Sequence, residues 1–317
     1  MADDEPPVGL IDQRHAWHLR IRELFLRWFL GGPGPDQKTP LDADELLELR
    51  RAKQKFYKTQ WAFAPGVNFG EGNCPRGCRY CYAVAFSHRR TGAPIPDIED
   101  DRNLFVANGR SINRLMGHTS RKQPELRIFA SMHDVFPENL GDYLRIARHL
   151  VTVANVELLI VTKAGPDVVR PLCAGLANVR DKVMIVITIT SADDETLKFW
   201  EPHAPTFAER LESLEIAHAN GFRTSVSLEP FLSDPRPVIA AARDFVTHGM
   251  WLGSMEHTST LEFSSNEEPG FADRHAAVNA SYTRENVTRL VEEYENDPKV
   301  FFKFTLMQIC GLTGTKS

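Results

Sequence analysis

The chain of 317 residues contains no hydrophobic run long enough to cross a membrane, since roughly eighteen consecutive apolar residues would be needed. Its first ten residues, MADDEPPVGL, are acidic and lack the charged-then-apolar pattern of a secretory signal. We therefore expect a cytoplasmic protein with no membrane partner.

The chain also lacks an excess of positive charge. Its formal net charge is −5, with 42% hydrophobic and 25% charged residues, which is typical of a soluble globular enzyme. The net charge of the whole molecule therefore does not favour binding to nucleic acid, although a local basic patch is compatible with this net charge.

Cysteine is scarce, and the five cysteines do not form the pattern of a disulfide framework. Their number is odd, and Cys173 and Cys310 are isolated; we expect both to be buried and apolar in behaviour. Cys74, Cys78 and Cys81 lie within eight residues, as C-P-R-G-C-R-Y-C. This distribution predicts a reducing compartment and one metal site.

Three thiolates on one loop can hold three irons of a cubane [4Fe–4S] cluster and leave the fourth iron open to another ligand. The spacing, with aromatic Tyr80 before the last cysteine, resembles that of the radical S-adenosylmethionine (SAM) superfamily. Two alternatives stay open: a zinc knuckle completed by His88, and three unrelated buried thiols.

The order of apolar and amphipathic segments predicts an α/β fold. The chain divides into an N-terminal helical extension (1–58), a core barrel (59–260), and a C-terminal helical cap and tail (261–317). Two helices are expected in the extension, over 13–30 and from about 42 to 58. The predicted strands of the core are 61–67, 126–131, 157–162, 183–190, 223–228 and 250–253. Helices are predicted over 140–153, 206–220, 235–248 and 283–296, and segment 300–309 is either a strand or a cap.

Polar side chains follow most of these strands, at the end where a parallel α/β barrel carries its functional residues. SAM bound to the open iron needs a cation for its carboxylate, an acceptor for its amino group and hydroxyl partners for its ribose. The candidates are Lys163 for the carboxylate, Ser131, His133 or Asp134 for the amino group, and Thr188, Thr190 or Ser191 for the ribose. Tyr80 is placed near the adenine, and Glu229 is a further cofactor-binding candidate. Plain structural roles, such as a helix cap for Asp134 or a turn for Glu229, stay open.

Segments 73–83, 159–163, 187–194 and 201–211 resemble the spore photoproduct lyase and DNA-repair-photolyase-like branch of the superfamily. The resemblance covers about residues 60–260 and implies a partial (β/α)6 barrel whose cluster loop follows the first strand. It implies that the three clustered cysteines bind the cluster, that Ser131 and Lys163 contact the methionyl part of SAM, and that Thr188 or Thr190 contacts the ribose.

One feature of that branch is missing. Spore photoproduct lyase uses a cysteine near the end of the second strand as a hydrogen donor, whereas this chain has no cysteine between Cys81 and Cys173. Tyr82 matches the tyrosine that follows the third cluster cysteine, and it is our catalytic candidate.

We therefore expect a radical SAM enzyme that cleaves SAM reductively to a 5′-deoxyadenosyl radical, which abstracts hydrogen from a substrate. A reductant such as a flavodoxin or ferredoxin is the expected partner. The substrate class that we expect first is nucleic acid, because of the resemblance and the basic residues of segments 50–58 and 88–90. A peptide or small molecule is the enzymatic alternative, and a zinc-stabilised nucleic-acid-binding module is the alternative of another class.

Overall fold

The computed structural model describes residues 9–30, 41–56, 66–72, 74–84, 105–119, 123–255 and 270–312, with side chains left out for 53–56. The predictions for His88, Arg89 and Arg90 lie outside the described residues. So do residues 61–65 of the first predicted strand.

A seven-stranded parallel sheet forms the centre of the described structure. Its strands are β1 (Gly66–Val67), β4 (Glu125–Phe129), β5 (Val156–Thr162), β6 (Val183–Thr188), β7 (Arg223–Leu228), β8 (Gly249–Leu252) and β9 (Val300–Phe302). They lie side by side in this order, and every neighbouring pair is parallel. Every residue of β6 is buried, because helices or strands cover both faces of a central parallel strand. A separate antiparallel pair joins β2 (Gly70–Glu71) to β3 (Val106–Ala107).

Helices connect the parallel strands, as crossovers in a parallel sheet require. Those before and within the sheet are α1 (Leu10–Leu30), α2 (Ala43–Phe56), α3 (Gly109–Met116), α4 (Leu140–Thr152), α5 (Pro166–Leu176), α6 (Asp194–Trp200), α7 (Phe207–Ala219) and α8 (Arg236–Ala242). The last three are α9 (Phe271–Ala280), α10 (Arg284–Glu293) and α11 (Phe304–Ile309). Helix α7 begins with a capping box in which Thr206 and Glu209 satisfy each other's backbone N–H groups.

The predicted α/β class with a parallel sheet is confirmed, and all six predicted strands are present in whole or in part. The sheet has one strand more than predicted, because segment 300–309 supplies both β9 and α11. Within the described residues, β1 and β9 do not pair, so the sheet is an open, partial barrel. The predicted helix over 235–248 is shorter, since α8 ends at Ala242 and a 3₁₀ turn leads into β8.

Helix α1 crosses the amino-terminal ends of the strands. The buried Glu157 of β5 accepts hydrogen bonds from the backbone N–H groups of Leu10 (2.7 Å) and Ile11 (2.9 Å), which caps the helix. Farther along, the Arg22 guanidinium donates to the carbonyl oxygens of Tyr294, Glu295, Asp297 and Val300, the last at 2.7 Å. The helix is thus bound to β5 at its start and, just past its middle, to residues 294–300 at the start of β9.

Between these anchors, α1 contributes His15 and His18 to a histidine cluster with His248. The rings of His15 and His248 are 4.7 Å apart, and His248 also contacts the Asp12 carboxylate at 3.0 Å. Burial lowers the pKa of His15 to about 4 and that of His18 well below its ordinary value. Both imidazoles are therefore neutral in the folded protein at neutral pH.

The described parts of the three predicted regions share one apolar core, which includes Leu24 of α1, Ile185 of β6 and Leu306 of α11. The division into extension, barrel and cap stays a prediction. Among the helices that the structure describes, none combines the length and hydropathy that a membrane span requires.

Candidate functional site

The predicted site residues lie at the carboxyl-terminal ends of four adjacent strands, next to the cysteine loop, which we define as residues Cys74–Cys81 and which follows β1. The sheet order β4-β5-β6-β7 makes these ends neighbours. They carry Ser131 and Asp134 after β4, Lys163 after β5, Thr188 and Thr190 at the end of β6, and Glu229 after β7. Whether these residues bind a cofactor stays a prediction.

The cysteine loop consists of two tight turns. Gly77 donates its N–H to the Cys74 carbonyl at 3.3 Å, and Cys81 donates to the Cys78 carbonyl at 3.1 Å. Gly77 has φ 61°, a left-handed conformation that glycine adopts without steric cost. The loop therefore brings three cysteines close together with a backbone that the sequence C-P-R-G-C favours.

The three thiols are unbridged and partly buried. Burial raises the pKa of Cys74 to about 11. Burial also raises the pKa of Cys78, and the positive charge of Lys163 offsets part of that increase. Among the described residues, no three His, Cys, Asp or Glu side chains converge closely enough to bind one metal ion. A cubane cluster offers each thiolate a different iron, so the sulfurs need not meet at one point. Three thiols on one loop are thus compatible with the donor set of such a cluster.

Asp134 joins the cysteine loop to the strand ends. Its carboxylate accepts hydrogen bonds from Arg76 Nε (2.8 Å), the Val135 N–H (2.8 Å), the Lys163 N–H (3.2 Å) and the Thr162 hydroxyl. Burial alone would raise its pKa, but Arg76 and Thr162 outweigh burial and lower it. Asp134, one of the three side chains predicted as an acceptor for the SAM amino group, is thus already engaged in connecting β4, β5 and the loop.

Lys163 lies beside a buried ionic cluster that the sequence analysis did not predict. Its Nζ is 4.0 Å from Glu201 Oε1 and 5.6 Å from the centre of the Tyr80 ring. Glu201 Oε2 forms an ion pair with Arg210 at 2.5 Å, and both side chains are fully buried. Burial would raise the pKa of Glu201, but Arg210 and Lys163 outweigh burial and lower it.

Ser131 contacts a second residue that sequence reasoning missed. The Asn68 side chain donates to Ser131 Oγ at 3.0 Å and accepts from the N–H groups of Ser131 (3.0 Å) and Met132 (2.8 Å). Tyr82 donates its hydroxyl to the Ser131 carbonyl, and 47% of its side chain remains exposed. Tyr82 is thus at the site and accessible, as a catalytic candidate must be.

The other predicted residues have protein partners too. Thr190 donates its hydroxyl to Glu201 at 2.9 Å, and the Thr188 carbonyl accepts from Arg210 at 3.2 Å. Glu229 forms a hydrogen-bonded ion pair with Lys303, a buried cation that follows β9 and that the sequence analysis did not single out. Gly253 makes room for this carboxylate, since a Cβ there would lie 2.5 Å from Glu229 Oε1.

Three further residues are packed inside the protein. His133, considered as an acceptor for SAM, packs between the rings of Phe69 and Phe105, at 4.9 and 4.2 Å. Cys173 and Cys310 are buried, as predicted. The only sequence signal that could have located Glu201 and Arg210 is their place in segment 201–211, which resembles the photolyase-like branch.

No protein-family model matches the chain. Among curated proteins, the uncharacterized protein ORF301 of Acidianus two-tailed virus is 26% identical over 167 residues, which make up 52% of this chain and 54% of that protein. The chain therefore spans about half the length of the curated relative that it matches.

Solved structures with a similar fold include a mutant spore photoproduct lyase, with 10% identity, a TM-score of 0.48 and 75% coverage of both chains. Spore photoproduct lyase complexed with dinucleoside spore photoproduct gives 11% identity, a TM-score of 0.47 and the same coverage. SuiB of Streptococcus suis, bound to precursor peptide SuiA, gives 11% identity and a TM-score of 0.45 over 86% of this chain and 56% of SuiB. At these values the similarity concerns the fold and carries no argument about the reaction.

Proposed function

We propose that this chain is a radical SAM enzyme in which Cys74, Cys78 and Cys81 hold a [4Fe–4S] cluster. The observation that carries the proposal is the cysteine loop itself: three thiols in two tight turns, at the carboxyl-terminal edge of a parallel sheet, beside Lys163. When bound, the cluster and SAM supply a 5′-deoxyadenosyl radical that takes hydrogen from the substrate.

In this proposal, the residues of the chain bind and orient SAM. Lys163 offers an ammonium for the carboxylate of SAM, and its distance of 4.0 Å from Glu201 leaves room for a second acceptor. Tyr80 carries an aromatic ring close to that ammonium. Ser131, Thr188 and Thr190 supply hydroxyl groups, and Glu229 with Lys303 supplies a buried ion pair near the ends of β7 and β9.

Tyr82 is the proposed catalytic residue. Its hydroxyl contacts the backbone after β4, which is the strand end where the related lyase carries its hydrogen-donor cysteine. The phenol of a tyrosine keeps its proton at neutral pH. A protonated, half-exposed tyrosine is suited to return a hydrogen atom to a substrate radical.

The first experiment is anaerobic reconstitution with iron and sulfide, followed by metal analysis. We expect four irons per chain, no stoichiometric zinc, and release of 5′-deoxyadenosine when dithionite and SAM are added. Cys78→Ala should lose the iron and the product, because one of three cluster ligands is removed.

Cys310→Ala is the matched control, because it removes a buried thiol outside the cysteine loop. It should bind iron and cleave SAM as the wild type does. Stoichiometric zinc without iron would overturn the proposal in favour of the zinc-stabilised nucleic-acid-binding module, and equal yields from Cys78→Ala and wild type would overturn it as well.

For the substrate we propose nucleic acid first, and a peptide or small molecule second. The support is the photolyase-like resemblance and the basic residues Arg50 and Arg51. These two residues lie on α2, and α2 packs on α1 through ion pairs of Arg20 and Arg27 with Glu45.

SAM cleavage consumes one electron, so the proposal includes an external reductant of the flavodoxin or ferredoxin kind. Deuterium transfer from labelled candidate substrates into 5′-deoxyadenosine would identify the substrate and its reactive position.

A further inference from the structure

Besides Asp134, one short segment of the chain holds the cysteine loop. This cradle segment, residues 199–203, begins at the end of α6. Arg79 donates its N–H to the Trp200 carbonyl at 2.9 Å and its side-chain Nε to the Phe199 carbonyl at 2.5 Å. His203 donates its N–H to the Arg76 carbonyl at 3.4 Å. The backbone of the loop is thus attached at two points, on either side of Cys78.

Glu201 lies at the centre of the cradle segment, and its charged side chain is buried. Oε1 accepts hydrogen bonds from the hydroxyl of Tyr80, in the cysteine loop, and from that of Thr190 at 2.9 Å. Oε2 is paired with Arg210 at 2.5 Å. The two oxygens therefore connect the loop, the end of β6 and helix α7.

Arg210 is fixed independently of Glu201. Its Nε donates to the Pro205 carbonyl at 2.8 Å, and Nη1 donates to the Thr188 carbonyl at 3.2 Å. A guanidinium so held cannot move away, so its positive charge stays close to Lys163. The Glu201 carboxylate offsets that charge, because it lies between the two cations.

We infer that Glu201 is a positioning residue: it sets the place of Lys163 and of the cysteine loop relative to each other, so that the Lys163 ammonium stands ready for an anionic ligand beside Cys78. This inference rests on the proposed function, since the anionic ligand is the carboxylate of SAM. Within the part of the chain that the structure describes, the 4.0 Å contact between Lys163 and Glu201 is an attraction without a hydrogen bond, so the donors of the ammonium can turn to that ligand.

The test compares iron-loaded, full-length variants. Glu201→Gln keeps the shape and removes the charge, so Arg210 and Lys163 repel each other. We expect a SAM dissociation constant at least tenfold higher than in the wild type at equal iron content, measured by titrating the change that SAM causes in the EPR spectrum of the reduced protein. Hydrogen exchange of the peptide containing residues 75–81 should also be severalfold faster.

Tyr80→Phe separates the two effects, because it removes the hydrogen bond to the loop and keeps the carboxylate. It also keeps the aromatic ring placed near the adenine, so it should speed exchange in the loop while weakening SAM binding less than Glu201→Gln does. The matched control is Glu212→Gln, the same change at an exposed carboxylate on α7, whose partner Arg170 is 3.2 Å away. It should leave both measurements unchanged.

Glu201→Gln leaves Arg210 buried without its counter-charge and so risks misfolding. The double variant Glu201→Gln/Arg210→Met removes both charges, and it decides the matter if the single variant does not fold. Lys163 still lacks its anchor there, so we expect weakened SAM binding. A double or single variant that binds SAM within twofold of the wild type would overturn the inference. Wild-type protein that binds no iron or no SAM would instead overturn the proposed function.

Discussion

At the scale of single residues, the described site is defined by buried charges that are paired across distant parts of the chain. Lys303 and Glu229 are one such pair, with side chains that are 5% and 10% exposed. Removing one partner of a buried pair leaves a desolvated charge behind, whereas an exposed pair contributes little. The two kinds of pair should therefore respond very differently to substitution.

Lys303→Met should lower the free energy of unfolding by about 3–5 kcal/mol, because the Glu229 carboxylate loses the cation beside it. The double variant Lys303→Met/Glu229→Gln should recover a large part of that loss. Urea denaturation measures both. Arg170→Met, in an exposed pair, is the comparison and should cost less than about 1 kcal/mol. Equal losses for Lys303→Met and Arg170→Met would contradict this account of the pair.

At the scale of elements, α1 is a structural part of the sheet's amino-terminal end. Ile21, Leu24 and Phe25 are buried almost completely, and each contributes about 1.5–3 kcal/mol relative to an exposed position. The period of apolar residues predicted this helix. It did not predict where the helix docks, because the partners Glu157 and Val300 are far away in sequence.

The histidine cluster should make α1 sensitive to acid. The folded-state pKa values of His15 and His18 are depressed, while unfolded histidine titrates at about 6.5. Below that pH the unfolded state binds more protons than the folded state, so the stability that these groups contribute is present above pH 6.5 and is lost as pH falls toward 4. Between pH 7 and pH 5, urea denaturation should show a loss of roughly 2 kcal/mol from His15 alone, and His18 should add to that loss.

Groups facing the cluster modulate this effect. Asp12 favours protonation of His15, and Arg14 opposes that of His18. His18→Phe keeps a ring against Trp251 and should flatten the pH dependence, whereas His218→Gln, on the exposed face of α7, should leave it as in the wild type. If the free energy of unfolding changes with pH equally in His18→Phe and in the wild type, then other groups set this pH dependence.

At the scale of the whole molecule, cofactor binding should be measurable as stability. A ligand that binds only the folded state stabilises it by about 2.7 kcal/mol at one hundred times its dissociation constant. SAM at that concentration should raise the melting temperature of the iron-loaded wild type by a few degrees, and scanning calorimetry can measure the shift. Cys78→Ala should show no shift; an equal shift in that variant would mean that SAM binds independently of the cysteine loop.

Much of the whole-molecule architecture could be predicted from the sequence, because strands such as β6 and their intervening helices carry local apolar patterns. The cysteine spacing located the candidate site, and the ends of the strands supplied its other candidates. Glu201, Arg210 and Lys303 were missed because their importance comes from pairing in space. A lone glutamate after a helix, or a lysine after a short strand, resembles any solvated charge in the sequence.

The attachment of α1 at two points also concerns how the protein is made. The carboxylate that caps this helix lies 146 residues after Ile11, and the Val300 carbonyl lies 278 residues after Arg22. At about 5–20 residues per second, the ribosome needs on the order of 15–55 seconds to supply the second anchor. During that time the apolar face of α1 lacks its final cover, so we expect a nascent-chain chaperone to engage the protein at this helix.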